Sequence, residues 1–315
     1  MAEKPLVHLI DGHIYIFRSY FSLPDMSAPD GTPTNAAYGF ANTLLRYLAE
    51  QVPTHMAVCF DYDVNASFRS ETFPDYKANR GEPPEDLEPQ FDLCVEVGRA
   101  LGLPVFVRDR YEADDLIATL TRQLLAKGAR VRIVTSDKDL CQLVRDDGRV
   151  QLYDLAKDSH MDADCVRAKF GVDPDQIPDY LGLVGDAVDN LPGVPGVGPK
   201  SAAAVLGAFG RIEHVPADPA EWSEVAVRGA KRLAAKIEEH RELALRVREL
   251  ATVHQRVPGI DVGLGELRFR GADRDKATAL FDRLGWGRIA TRIPRWRDAA
   301  PRETENLARL DGNRG

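Results

Sequence analysis

Residues 104–140 read PVFVRDRYEADDLIATLTRQLLAKGARVRIVTSDKDL, and this stretch decides the fold. It begins and ends with short apolar runs, Pro104–Val107 and Val131–Thr135, whose β-branched residues are typical of buried strands. Between them, Ala113–Ala126 has the apolar spacing of an amphipathic helix. The order strand, helix, strand predicts a unit of a parallel sheet.

The same alternation extends in both directions along the chain. Further strands are predicted at Leu6–Ile10, Met56–Phe60 and Val150–Tyr153, and helices at Ala36–Glu50 and Leu87–Leu101. The predicted fold class is therefore α/β, with a central, mostly parallel sheet flanked by helices.

After about residue 162 the pattern changes to helices joined by turns rich in proline and glycine. A domain boundary is predicted near residue 175. It separates an α/β domain, 1–175, from a helical subdomain, 176–298, which a polar tail follows at 299–315. Within the subdomain, Val227–Val253 predicts one long amphipathic helix or a helix pair.

Composition limits the class of protein. The chain has 315 residues, of which 44% are apolar, so it can bury a large core. No run approaches the roughly 20 apolar residues of a membrane-spanning helix, and no secretory cleavage site follows the start, which predicts a cytoplasmic protein. The four cysteines are scattered, which argues against a disulfide framework or a zinc site.

Charge is divided unevenly along the chain. The net charge is −13 for residues 1–190 and +5 for residues 191–315, for a total of −8. An acidic site beside a basic surface suits metal-dependent chemistry on a phosphodiester. Charged runs that only solvate a surface are the alternative.

Nine carboxylates are grouped in short motifs, several of them directly after a predicted strand. They are Asp11, Asp61, Glu112, Asp114, Asp115, Asp137, Asp139, Asp186 and Asp189. The carboxyl ends of parallel strands meet at one edge of a sheet, where open α/β folds bind their ligands. Taken singly, each motif could instead be a helix cap, a first-turn acid or an ordinary turn. Together, the carboxylates would repel one another unless cations lie among them.

The chemistry of these side chains indicates which ion they would bind. Oxygen ligands without histidine or cysteine favour a hard cation, Mg²⁺ or Mn²⁺, over zinc. Two such ions about 4 Å apart can activate water and stabilise the leaving oxygen of a phosphoryl displacement. The sequence therefore predicts two divalent cations.

A basic stretch, SFRSETFPDYKANR, follows the second predicted strand. Lys77 and Arg80 are three residues apart, so a helical turn would direct both toward one phosphate, while Tyr76 offers a ring for base stacking. A solvated surface loop is the alternative.

The run LPGVPGVGPKSAAAVL, residues 191–206, joins a glycine-rich turn to a helix. Glycines let the backbone approach a phosphate, and the amides at the start of the helix, with Lys200, form an anion site. The spacing of Gly193 and Gly198 imitates a nucleotide-binding P-loop. However, Pro199 separates Gly198 from the lysine and no buried strand leads into the loop, so no nucleotide cofactor is predicted. A purely structural turn is the alternative.

These motifs, in this order, resemble those of the 5′ nuclease domain of bacterial DNA polymerase I and of the flap endonuclease family. The resemblance covers about residues 5–295 and includes Asp11-Gly-His, Tyr76-Lys77, Tyr111-Glu112-Ala-Asp114-Asp115, Ser136-Asp137-Lys-Asp139 and Gly196-Val-Gly198-Pro-Lys200. It implies a metal-dependent 5′→3′ exonuclease and 5′ flap endonuclease of DNA. It also implies tolerance of RNA at the 5′ end, a role in primer removal and repair, and a monomeric, free-standing nuclease.

The resemblance also implies roles for individual residues. One metal site would comprise Asp11, Asp61, Glu112, Asp114 and Asp115, and the second Asp137, Asp139, Asp186 and Asp189. A helical arch at about 73–90 would engage the 5′ end. The residues implied in catalysis are Lys77, Arg80, Asp114 and Asp137. Those implied in DNA binding are Arg18, Arg69, Tyr76, Lys77, Arg80, Gly196, Gly198, Lys200 and Ser201.

The last four of these belong to an implied helix–hairpin–helix at about 190–209, whose backbone oxygens would hold a monovalent cation such as K⁺. Three rival functions remain open from the sequence. They are a DNA-binding module of the same fold without activity, an RNA-directed nuclease and, more distantly, a P-loop phosphotransferase.

Overall fold

The computed structural model describes residues 4–63, 67–223, 225, 227 and 229–297. Its strands are β1 (Leu6–Asp11), β2 (His55–Phe60), β3 (Val105–Val107), β4 (Arg130–Val134), β5 (Val150–Asp154) and β6 (Ser159–Met161). They form one sheet in the order β3-β2-β1-β4-β5-β6. The first five strands are parallel and β6 is antiparallel to β5. The predicted, mostly parallel α/β sheet is confirmed, although the short edge strand β6 was not predicted.

Eleven α-helices occur in the described part of the chain. They are α1 (Gly12–Ser22), α2 (Asn35–Gln51), α3 (Phe68–Thr72), α4 (Glu88–Ala100), α5 (Ala113–Ala126), α6 (Ala163–Phe170), α7 (Ile177–Val184), α8 (Pro199–Phe209), α9 (Ala230–Glu239), α10 (Arg241–Ala251) and α11 (Arg274–Arg283). Short 3₁₀ turns lie at Asp139–Leu143, Pro174–Gln176, Ile212–His214, Pro219–Trp222 and Ala290–Arg292.

Both faces of the sheet are buried, which is the usual state of a parallel sheet. Successive residues of β1 point to opposite sides, so Leu9 packs into one apolar core and Ile10 into the other. Helices α1, α2 and α4 contribute to the core around Ile10, and α5 to the core around Leu9. The strand ends, and the acids that follow them, are thereby fixed on a rigid frame.

Helix α1 was not predicted, because its sequence, GHIYIFRSYFS, is rich in aromatic and β-branched residues that favour strands. Packing against α2 stabilises the helix instead. The two helices approach so closely that a Cβ on Gly39 would lie 2.5 Å from the Cβ of Ser19. Only glycine at position 39 permits this contact.

The second part of the chain is helical, as predicted. Helices α7 and α8 are joined by a loop that contains Gly193, Gly196 and Gly198, an order of elements consistent with the helix–hairpin–helix predicted at about 190–209. That motif remains a prediction. The stretch Val227–Val253 forms a helix pair, α9 and α10, which are separated at His240.

The segment 250–262 follows helix α5 closely, and polar side chains of α5 bind its backbone. Thr119 Oγ1 accepts a hydrogen bond from the amide of Val257 at 3.1 Å. Gln123 donates to the carbonyl of Ile260 at 2.5 Å and accepts from the amide of Val262 at 3.1 Å. The helical part is thus attached to the α/β part along the whole length of α5.

None of the helices in the described ranges is both long and apolar enough to cross a membrane. The predicted polar tail, 299–315, lies outside the described residues, as does position 298 at the end of the predicted subdomain.

Candidate metal centre and nucleic-acid contacts

A cavity of about 460 Å³ opens at the carboxyl edge of the sheet. Its lining includes the acids Asp11, Asp61, Glu112, Asp114 and Asp137, the cations Lys77 and Arg80, and the rings of His13 and Phe17. Five of the nine predicted carboxylates therefore meet in one place, as the strand topology requires. Asp137 lines this cavity and also accepts a hydrogen bond from the amide of Asp139 at 2.8 Å, so it lies between this group and the site to which the resemblance assigns it.

Local hydrogen bonds orient the carboxylates that line the cavity. Thr135, which directly follows β4, donates to Asp11 Oδ2 at 2.8 Å and accepts from the amide of Asp137 at 3.0 Å. The first-turn amide of Ala113 in α5 donates to Asp61 Oδ1 at 2.6 Å. A carboxylate at the start of a helix is stabilised by the free amides and the helix dipole.

A second acidic group comprises Asp139, Asp186 and Asp189. One carboxylate oxygen from each lies within 4.8 Å of the others, and all three residues are buried. Asp139 Oδ1 is buried and has no well-aligned hydrogen bond with a described residue, and its near neighbour is the ammonium of Lys138 at 3.2 Å. Three buried carboxylate oxygens this close together fit a hard divalent cation, which prefers oxygen ligands.

The electrostatics of both groups show why they need positive charge. Burial, followed by repulsion from Asp61, raises the pKa of Asp11 to about 7. Burial and the charge of Asp137 raise the pKa of Asp114 well above its usual range and that of Asp139 to about 8. Without a cation these groups would hold protons near neutrality, whereas a bound divalent ion would keep them ionised.

Two lysines provide part of the missing positive charge. Lys77 Nζ lies 2.9 Å from Glu112 Oε2. Burial would raise the pKa of Glu112, but the charges of Lys77 and Arg69 outweigh it and lower that pKa to about 2. Lys138 Nζ lies 2.5 Å from Asp186 Oδ2 and 3.2 Å from Asp139 Oδ1.

Lys138, Thr135 and His13 were not predicted to be site residues. The sequence places Lys138 between two predicted ligands, but only the structure shows that it pairs with Asp186, which is distant in the chain. His13 Nδ1 accepts a hydrogen bond from the amide of Asp61 at 3.0 Å, and its ring stacks on Phe91 at 5.1 Å. In the sequence, the position of His13 two residues after Asp11 indicates that it lies near the predicted site.

Asp115, unlike its neighbour Asp114, does not line the cavity. It is fully buried, and its two carboxylate oxygens accept hydrogen bonds from Arg69 at 2.8 and 2.7 Å. The amides of Glu112 and His254 donate to the same carboxylate. In this structure Asp115 is a structural partner of Arg69, and the metal-ligand role that the resemblance implies for it remains a prediction.

Arg69 is buried together with Asp115. Only 2% of it is exposed, and it also donates to the backbone carbonyls of Leu250 and Thr252. Its guanidinium also lies 3.6 Å from the carboxylate of Glu112, so its contacts in this structure are all with protein, and the predicted phosphate contact remains a prediction. Arg69 instead connects α5 to the end of α10.

The stretch from Phe73 to Arg80, which we call the basic segment, also differs from its prediction. Its residues form consecutive turns rather than a helical turn, and Lys77 has a left-handed backbone with φ +57°. Tyr76 is only 7% exposed, and its hydroxyl lies 3.1 Å from Glu112 and 3.2 Å from Asp189. Its predicted base-stacking ring is therefore not accessible in this conformation.

The basic segment holds both acidic groups through its cations. Arg80 donates to Asp189 Oδ1 at 2.6 Å, while Lys77 binds Glu112. Its backbone contacts the loop of the second group, because the amide of Lys77 donates to the carbonyl of Asp189 at 3.0 Å. The segment thus lies across the two groups and faces the cavity.

The other predicted DNA contacts lie at the surface. Arg18 is exposed on α1, and Lys200 is exposed in the first turn of α8, next to the half-buried Ser201. The hairpin glycines Gly196 and Gly198 precede that turn, and Gly196 has φ +82°, a left-handed conformation that favours glycine. A Cβ on Gly196 would lie 3.8 Å from the Nζ of Lys236 in α9, an additional cation that was not predicted.

Two family models match consecutive parts of this chain. The model described as "5′-3′ exonuclease, N-terminal resolvase-like domain" matches residues 6–171. The model described as "5′-3′ exonuclease, C-terminal SAM fold" matches residues 172–275. The predicted division near 175 remains a prediction, because the two matches are stretches of sequence.

Similar curated proteins include two bacterial DNA polymerases I. The protein of Bacillus caldotenax is 39% identical over 289 residues, which cover 90% of this chain and 32% of that protein. The protein of Pseudomonas aeruginosa is 42% identical over 285 residues, covering 90% of this chain and 31% of that protein. The chain thus spans about a third of the length of these relatives.

Solved structures share the fold at lower identity. The T5 D15 protein, co-crystallised with metal ions, has a TM-score of 0.62 at 20% identity, covering 88% of this chain and 99% of that chain. The catalytic core of Rad2 in complex with a DNA substrate has a TM-score of 0.59 at 16% identity, covering 92% of each chain.

Proposed function

Because the chain belongs to the 5′-3′ exonuclease family, we propose that it hydrolyses phosphodiester bonds of DNA at 5′ ends and 5′ flaps. The observation that carries this proposal is the convergence of carboxylates from several separate segments on one cavity, together with Lys77 and Arg80. Such a site combines negative ligands for metal ions with positive groups for a phosphate.

Two divalent cations, Mg²⁺ or Mn²⁺, would activate water and stabilise the leaving oxygen when bound. The residues that would hold them are Asp11, Asp61, Glu112, Asp114 and Asp137 at one position and Asp139, Asp186 and Asp189 at the other. This assignment is supported by the shared cavity and by the closeness of the second three oxygens.

The protein's own cations would position the scissile phosphate. Lys77 is mostly buried inside the cavity, where its charge would offset the negative charge that develops during phosphoryl transfer. Arg80 is 42% exposed at the side chain and lies nearer the solvent, which suits a contact with the incoming strand. Both cations would exchange a carboxylate partner for a phosphate oxygen.

Binding of the rest of the DNA would use more exposed surfaces. Arg18, Lys200, Ser201 and the amides around Gly196 and Gly198 are placed to contact phosphates, and the hairpin backbone could hold K⁺. We further propose a monomer that works in the cytoplasm in primer removal and repair and that accepts RNA at the 5′ end. The curated relatives that support a DNA-directed role are DNA polymerases I, which are longer than this chain.

Cleavage of a labelled 5′-flap duplex tests the proposal. Mg²⁺ or Mn²⁺ should restore cleavage after treatment with EDTA. When the flap strand carries the label at its 5′ end, the labelled product should be the released flap. Duplex binding without cleavage at any metal concentration would support the inactive DNA-binding module instead. Preferential cleavage of hairpin RNA would support the RNA-directed nuclease.

A further inference from the structure

A second groove, of about 960 Å³, lies at the amino edge of the sheet. It is lined by Leu103 and Pro104, which precede β3, and by Arg268, which forms a bridge with His55 at the start of β2. Strand β2 has six residues between this edge and the acidic cavity. At about 3.3 Å per residue, the groove and the cavity are about 20 Å apart.

Positive charge dominates this groove. Its lining contains five cations and one carboxylate, that of Glu266. The cations are Arg99, Arg268, Arg270, Lys276 and Arg297. All five are exposed, whereas the carboxylate of Glu266 accepts a hydrogen bond from the amide of Gly263 at 2.7 Å.

The side chains of the five groove cations have no hydrogen bond or ion pair with any described residue. Several other arginines of the helical part are paired with carboxylates. Paired examples are Arg211 with Asp175, Arg241 with Glu238 and Arg248 with Glu213. A concentration of unpaired positive charge in a chain with net charge −8 indicates a surface for an external polyanion.

The remaining lining favours nucleic acid over an acidic protein. Protein interfaces usually have an exposed apolar or aromatic centre. Here Leu103 and Val262 are buried, and Phe106, the one aromatic residue of the lining, is half-buried. Charge without an exposed ring suits the phosphate backbone of a duplex, which is bound independently of sequence.

We propose that this amino-edge groove is a second DNA-binding site, which holds the backbone of duplex DNA about 20 Å from the acidic cavity. The proposal rests on the proposed function, since that function brings DNA to the protein. Because the groove is remote from the cavity, it would increase affinity for substrates with long duplex arms and leave the chemical step unchanged.

The test compares two double variants with the same change of charge. Arg268→Glu with Arg270→Glu alters the groove. Arg46→Glu with Arg145→Glu alters two exposed arginines elsewhere, whose side chains have no ion pair or hydrogen bond with a described residue. Binding of a 30-base-pair duplex in EDTA is measured across a salt series. Loss of two phosphate contacts should lower the slope of log K against log salt by about 2.

We expect the groove variant to lose at least tenfold in duplex affinity and the control variant to lose much less. At saturating flap substrate, kcat should be unchanged in both variants. Equal losses in the two variants, or an unchanged salt slope in the groove variant, would overturn the proposal. Displacement of the duplex by polyglutamate as readily as by unlabelled duplex would overturn it in favour of an acidic polypeptide.

The same measurements separate this proposal from the proposed function. If the parent protein cleaves no DNA but the groove variant still shows the selective loss of duplex affinity, only the proposed activity fails. If the parent cleaves flap DNA and the two variants bind equally, only the groove proposal fails.

Discussion

The two edges of the sheet carry opposite charges. At the carboxyl edge, β1 and β2 lead into Asp11 and Asp61, which line the acidic cavity. At the amino edge, the starts of β2 and β3 border the groove that contains Arg268 and Arg99. A parallel arrangement sorts charges in this way, because every strand contributes its beginning to one edge and its end to the other.

The separation explains why neither edge neutralises the other. The distance of about 20 Å is roughly two and a half times the Debye length of about 8 Å at physiological ionic strength, so the two sets of charges are largely screened from each other. The acidic edge needs cations and the basic edge needs phosphates, both from outside the protein. The predictions that follow test whether each charged group has the partner assigned to it.

The largest expected effect distinguishes two adjacent residues of α5. Asp114→Asn should reduce cleavage at least a thousandfold, about 4 kcal/mol of transition-state stabilisation, because Asp114 lines the cavity. Duplex binding and stability should be retained. Single-turnover cleavage and thermal unfolding are the measurements.

Asp115→Asn is the matched change next to it. It should lower the free energy of unfolding by about 3 kcal/mol, since Arg69 would lose its buried partner. If Asp115→Asn left stability intact and abolished metal binding, the structural role assigned to Asp115 would be wrong.

Smaller kinetic effects should distinguish Lys77, which lies inside the cavity, from Arg80, which lies nearer the solvent. Lys77→Ala should lower kcat about a hundredfold, which is typical for loss of one group that stabilises developing charge. Arg80→Ala should mainly raise KM, because Arg80 is more exposed. Steady-state kinetics on a 5′-flap duplex would show the contrast, and a selective loss of kcat in Arg80→Ala would reverse the assignment.

The smallest expected effect is the pH dependence of the stability of the metal-free protein. Folded Asp11 and Asp139 hold protons up to about pH 7 and 8, whereas unfolded aspartates release them near pH 4. The folded state therefore binds more protons between these values, so stability should fall as the pH rises from 5 to 8.

Thermal unfolding in EDTA would measure this slope. Asp139→Asn should flatten it, because the uncharged amide cannot lose a proton. Added Mn²⁺ should also flatten it by keeping the carboxylates ionised in the folded state. A slope unaffected by both changes would show that these two groups do not cause it.

Much of the framework could be predicted from local sequence. Apolar runs gave the five parallel strands to within one residue, and helix α5 has the predicted bounds Ala113–Ala126. The convergence of strand-end acids followed from topology alone. Helix α1 could not be predicted in this way, because contacts with α2 override the strand preference of its residues.

The roles of single side chains were less predictable. Asp114 and Asp115 are adjacent on a helix, where successive side chains point about 100° apart, so both could not face the cavity. Arg69, a residue distant in sequence, determines that Asp115 faces the protein interior and that Asp114 faces the cavity. The burial of Tyr76 likewise depends on Glu112 and Asp189, which come from two other segments.

The attachment of segment 250–262 to helix α5 restricts how this protein can be recombined. The two family models meet between residues 171 and 172, yet Thr119, Gln123 and Asp115 bond to backbone far beyond that point. A chimaera that exchanged only the residues after 172 would place a foreign loop against these polar side chains. Several of the side chains would then lose their hydrogen-bond partners. The exchangeable unit includes α5, so a working hybrid would need both sides of this contact from the same parent.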